Sequence, residues 1–105
     1  MINNKEALTY NDVLLVPQYS DIRSRSEIKI GSRLGSLECR LPIIASPMDT
    51  ITEWEMAATM SHAGGLGVLH RYNSIKSQAL LVEKTISGGG TAIAAIGSSG
   101  DYLER

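Results

Sequence analysis

A 105-residue chain of net charge −1 with a single cysteine excludes several classes of protein at once. There is no basic block to hold nucleic acid or an anionic membrane surface, no apolar run long enough to span a bilayer, and Cys39 has no partner for an internal disulfide. An apolar fraction of 43% and a charged fraction of 20% are ordinary for a globular domain. With no charged-then-apolar leader at Met1, the expectation is a cytoplasmic protein that touches neither nucleic acid nor membrane.

Met1–Leu15 runs from polar to apolar, with Thr9 or Asn11 as a cap before Val13-Leu14-Leu15-Val16, and Pro17 stops any helix there. Tyr19–Ser26 is polar and arginine-bearing, and reads as loop. Glu27-Ile28-Lys29-Ile30 alternates polar and apolar, as a half-buried strand does. Gly31–Ser36 reads as a turn, and Leu37–Leu41 as a hairpin partner that closes one end of the domain.

A repeating unit then begins. Pro42–Ala45 is a short apolar strand of the kind covered on both faces. Thr50/Glu53 and Thr52/Glu55 are candidate capping boxes for a helix over 53–63, with Met56, Met60 and Ala63 facing the sheet. Gly64 and Gly65 end that helix. Leu66–Leu69 is the next strand. Ser74 caps a second helix, over 74–86, whose buried stripe is Ile75, Ala79, Val82 and Ile86. Gly88-Gly89-Gly90 ends it, and Thr91–Ile96 is a third strand followed by Gly97-Ser98-Ser99-Gly100. Asp101 and Glu104 form a capping box for a further helix.

The order β-α-β-α-β demands parallel strands and right-handed crossovers. The fold class is α/β, the amino-terminal portion of a (β/α)8 TIM barrel with its first three strands parallel. A full barrel takes about 250 residues, so residues 1–105 are expected to be the amino-terminal part of an incomplete catalytic domain. The remaining barrel sequence, or another chain, is then a partner.

Barrel chemistry lies at the carboxyl ends of the strands. Ser46, Met48 and Asp49 leave the first strand, His70 and Arg71 the second, and Ser98 and Ser99 the third. They converge on one rim that carries a carboxylate, a guanidinium, an imidazole and hydroxyls, a mixture suited to a polar anionic small molecule such as a nucleotide. Each residue also has a plainer role. Met48 packs, Ser46 satisfies turn backbone, Asp49 caps the helix, His70 is hydrogen-bonded structure, and Arg71 is a solvated charge. Gly88–Gly90 make no phosphate loop, because no Lys-Ser/Thr follows. Ser98-Ser99-Gly100 before Asp101 offers a phosphate a helix start, or is an ordinary turn.

Three motifs carry a family resemblance. The run from Leu8 to Ser20 (LTYNDVLLVPQYS), the run from Ala45 to Glu53 (ASPMDTITE) and the run from Gly64 to Arg71 (GGLGVLHR) resemble, in order, the motifs of IMP dehydrogenase. GMP reductase shares the fold and much of these motifs. The resemblance covers about Leu8 to Gln78. It implies a purine nucleotide oxidoreductase on a β/α barrel, a homotetramer when intact. In an IMP dehydrogenase a cysteine attacks C2 of IMP, hydride passes to NAD and water releases XMP. In a GMP reductase NADPH drives reductive deamination of GMP to IMP. The resemblance further implies that Ser46 and Met48 bind the nucleotide and that Arg71 lies near the dinucleotide. It places a potassium site outside this chain.

The catalytic cysteine of the family lies past the third strand, beyond Arg105, so no catalytic residue is expected here. Cys39 precedes the first strand, at the opposite end of the barrel. Most IMP dehydrogenases insert a pair of CBS modules between the second helix and the third strand, where this chain has only Ser87-Gly88-Gly89-Gly90. That short link is a natural turn or an engineered linker, and GMP reductases lack the insertion naturally. Ser46-Pro47 and Thr52-Glu53 look more like the dehydrogenase. Three readings stand: an IMP dehydrogenase, a GMP reductase, and a non-catalytic barrel remnant that binds nucleotide or a partner subunit.

Overall fold

The computed structural model describes residues 6–105; the first part of the Met1–Leu15 segment lies outside them. Two short strands, β1 (Ser32–Leu34) and β2 (Leu37–Cys39), form an antiparallel hairpin. Then come β3 (Ile44–Ala45), α1 (Trp54–Ala63), β4 (Leu66–Leu69), α2 (Ile75–Ser87) and β5 (Ile93–Ala94). The last three strands form one sheet in the order β3-β4-β5. Both pairings are parallel, Ile44 with Leu66 and Val68 with Ile93. The α/β class and the parallel three-strand sheet with two helices follow the sequence reading.

The amino-terminal portion differs from expectation. Neither Thr9 nor Asn11 caps a helix. Instead, the Thr9 N–H and Oγ1 both donate to Asp12 Oδ2 at 2.8 Å, closing a turn, and 13–16 is irregular. Those bonds, the backbone one first, hold the Asp12 carboxyl below its ordinary range. Glu27–Ile30 is not a strand. Ser24 caps a short 3-10 turn at Arg25–Glu27, and pairing starts only at Ser32. The hairpin loop is just Gly35-Ser36, because Gly35 takes φ 58° and the chain reverses in two residues. Residues 6–30 are exposed, including Leu14, Leu15 and Tyr19. The chain therefore exposes 8797 Å², against about 5,700 Å² for a compact monomer of its mass.

The core lies between α1 and the sheet. Ala57, Ala58, Leu66 and Leu69 are buried there. Close approach depends on Gly67: a Cβ built on it would stand 2.5 Å from the Ala57 Cα. Gly64 ends α1 in the left-handed region, at φ 92°. The hairpin docks at this end, with Leu41 N–H donating to Gly64 O at 2.9 Å and Arg40 Nη2 to His62 O at 3.2 Å.

The predicted helix faces are rotated. In α1 the buried residues are Ala57 and Ala58, while Met56 and Ala63 are exposed. Only small side chains fit where the helix meets Gly67. In α2 the buried residues are polar, Gln78 and Thr85, while Ala79 and Ile86 are exposed. Thr85 is satisfied by donating to Leu81 O at 2.8 Å, so its burial leaves no donor unmatched. Ser74 does cap α2, accepting from Ser77 N–H at 3.1 Å. The Asp101/Glu104 box does not form. The Asp101 carboxylate binds Arg105 Nε at 2.9 Å, and residues 101–104 make a turn.

Candidate functional site

Parallel pairing brings the carboxyl ends of β3, β4 and β5 to one edge of the sheet. Ser46 and Met48 follow β3, His70 and Arg71 follow β4, and Ala95–Gly97 follow β5. The sequence-derived rim is therefore present, and its three strand ends are neighbours.

The turn after β3 is tightly bonded to itself. The Met48 N–H donates to Ser46 O at 2.9 Å, and the Ile51 and Thr52 N–H groups donate to Met48 O at 3.3 and 2.9 Å. Thr52 is fully buried and its hydroxyl also donates to Ser46 O. That bond replaces the expected capping role. The N-cap of α1 is Glu53, without a side-chain cap bond, so neither Thr50/Glu53 nor Thr52/Glu55 forms a capping box and Asp49 caps nothing. Thr50 holds φ 61°, an unfavourable conformation for a β-branched residue. Ser46 and Met48 themselves stay exposed, Met48 by 50%.

At the end of β4, His70 is 4% exposed. Its Nδ1 accepts from the Tyr72 N–H at 3.2 Å, so the proton lies on Nε2, which faces Glu53 Oε1 at 3.4 Å. Both ring nitrogens are thereby engaged, in keeping with the structural reading of this residue. Arg71 is exposed. Its guanidinium lies 5.8 Å from the Tyr72 ring centroid and close to Gly97, where a built Cβ would meet Nη1 at 3.6 Å. An exposed cation thus stands beside the β5 end, and it fits an anionic group there.

Gln78 ties the two strand ends together. Its Nε2 donates to His70 O at 3.1 Å and to Ala95 O at 2.8 Å, while its Oε1 accepts from Arg105 Nη1 at 2.9 Å. Arg105 also donates to Asn73 O at 2.7 Å and to Asp101. The Arg105 hydrogen bond, ahead of any other cause, holds the Asp101 carboxyl below its ordinary value. Motif and spacing alone do not single out Gln78, Arg105 or the hydroxyl role of Thr52. A polar residue on the inward side of a helix, as Gln78 is, was the available signal. Beside this rim a cleft of ≈ 390 Å³ opens between the starts of the two helices, lined in part by Asp49, Glu53, His70 and Asn73.

A family model described as "IMP dehydrogenase / GMP reductase domain" matches residues 7–88. The chain belongs to the IMP dehydrogenase / GMP reductase family. It is 44% identical over 90 residues to an inosine-5'-monophosphate dehydrogenase of Nitrosopumilus maritimus, a match covering 85% of this chain and 19% of that protein. It is 48% identical over 80 residues to a GMP reductase of Leishmania donovani, covering 75% of this chain and 16% of the relative. An Aquifex aeolicus inosine-5'-monophosphate dehydrogenase is 43% identical over 81 residues, with coverage of 76% and 16%. This member of the IMP dehydrogenase / GMP reductase family thus spans less than a fifth of the length of these curated relatives. All three motifs singled out in the sequence fall within the matched span.

Proposed function

We propose that these residues are the amino-terminal part of the (β/α)8 catalytic barrel of an IMP dehydrogenase, its first three parallel strands. Ser87–Gly90 stand where many relatives carry a CBS pair. The observation that carries this reading is the shared rim, where the family motif after β3 lies beside the β4 end and its exposed arginine. The reaction is oxidation of IMP to XMP, and the attacking cysteine lies outside this chain. NAD, when bound, supplies the hydride acceptor.

What these residues contribute is binding and orientation. Ser46 offers a hydroxyl, and Met48 offers a soft apolar face to a purine. The exposed cation of Arg71, steadied over Tyr72, suits the dinucleotide's phosphates. Cys39 is buried in the hairpin, away from this rim. The intact enzyme is proposed to be a cytoplasmic homotetramer, with the family's potassium site supplied by later sequence.

A second reading, GMP reductase, is supported by the 48% identity to a protein of that name. The test is to supply the complete polypeptide with IMP and NAD, and separately with GMP and NADPH. Production of NADH with IMP supports the dehydrogenase. Consumption of NADPH with GMP alone selects the reductase. Binding of nucleotide without either turnover leaves a non-catalytic barrel piece. In an active enzyme, Ser46→Ala is expected to weaken nucleotide binding by about 0.5–1.5 kcal/mol, one net hydrogen bond, with the fold unchanged.

A further inference from the structure

We propose that Thr52 is a positioning residue for the nucleotide site: its buried hydroxyl holds the Ser46 carbonyl and thereby fixes the turn that presents Ser46 and Met48. This rests on the reading of the rim as a purine nucleotide site. Thr52 belongs to a loop between strand and helix, yet it is 0% exposed. It stands one residue before Glu53, the N-cap of α1. The Thr52 hydroxyl reaches six residues back to Ser46 O, and the helix goes without a side-chain cap.

The turn is over-determined around that bond. Ser46 O accepts from both the Met48 N–H and Thr52 Oγ1, and Met48 O accepts from the Ile51 and Thr52 N–H groups. Between them Thr50, at φ 61°, is the single non-glycine residue of positive φ among the described residues. A β-branched side chain persists in that region only where its surroundings hold it. The Ser46 and Met48 carbonyls are engaged within the turn, while the side chains of Ser46 and Met48 remain exposed. A turn held in this way does not have to be ordered when a ligand arrives, which is how preorganisation raises affinity.

The experiment compares Thr52→Val, which keeps the shape and removes the donor, with Thr52→Ser, which keeps the donor and loses a methyl. In the complete polypeptide, IMP and GMP affinities are measured by calorimetry, KM and kcat by turnover, and amide hydrogen exchange over residues 46–52 without ligand. Thr52→Val is expected to weaken nucleotide binding about three- to tenfold, the span of one net hydrogen bond. KM should rise more than kcat falls, and exchange at Ile51 and position 52 should quicken. Thr52→Ser should restore both readouts to wild type. Thr52→Cys, a weaker donor, serves if Thr52→Val does not fold, and it should bind less tightly than Thr52→Ser. Affinity unchanged in Thr52→Val overturns the proposal, as does Thr52→Ser being as impaired as Thr52→Val. A wild-type protein that binds neither nucleotide overturns the nucleotide reading and this role with it. The ligand-free exchange data then still show whether the hydroxyl shapes the turn.

Discussion

Replacing Gln78 by leucine tests how the rim is held together. Gln78 is 5% exposed, and its amide makes three hydrogen bonds, to His70 O, Ala95 O and Arg105 Nη1. Each bond to a neutral carbonyl is worth about 1 kcal/mol net, and the one from the guanidinium about 1.5 kcal/mol. Against a loss of about 3.5 kcal/mol stands roughly 1 kcal/mol gained by burying leucine's apolar surface in place of the amide. The expected destabilisation is about 2–3 kcal/mol. Trp54 is the chain's single tryptophan and packs at the start of α1 beside Lys84, so its fluorescence reports on urea unfolding of this unit. With a slope of about 1–2 kcal/mol per molar, the midpoint should fall by about 1–3 M urea. Gln78→Glu should be at least as damaging, because a carboxylate turns an acceptor toward His70 O and Ala95 O. A Gln78→Leu midpoint within about 0.3 M of wild type would refute the reasoning, since the amide would then not be what spaces the ends of β4 and β5.

Other consequences follow from the same geometry. Gly67→Ala should destabilise by about 1–3 kcal/mol or more, because the new Cβ meets the Ala57 backbone at 2.5 Å; thermal melting of the variant checks this. Asp101 has a folded pKa held below its ordinary value by Arg105. The stability this contact contributes is therefore present above about pH 4, the ordinary aspartate range, and is lost as pH falls through the lower folded value. Asp101→Asn should flatten the acid limb of a pH–stability curve, and an unchanged limb would assign acid sensitivity to other carboxylates.

The parallel sheet and the location of the rim were legible in the sequence because both depend on patterns that survive projection onto one dimension. Apolar runs bounded by Gly64-Gly65 and Gly88–Gly90 mark strands and helix stops, and the β-α-β-α-β order leaves only parallel pairing. Ser74 is legible as a cap, since a cap is satisfied within its own turn. Local chemistry also placed Ser46, Met48 and Arg71 at strand ends.

Tertiary structure decided what neighbours in space decide. The faces of α1 and α2 were set by the sheet beneath them: Ala57 and Ala58 turn inward because Gly67 permits only small residues to approach. Gln78 turns inward because the His70 and Ala95 carbonyls await its amide, while Thr85 is buried without cost because its hydroxyl bonds Leu81 O in its own helix. Thr52 looked like a cap by its spacing to Glu55, but its hydroxyl found Ser46 O across the turn instead. Arg105, at the far end of the chain, completes a network with Gln78 and Asn73 that no local window contains. Spacing along a chain determines which elements form and in what order. Which side of an element is buried, and which polar group each buried donor meets, depends on partners that the fold supplies from elsewhere in the sequence.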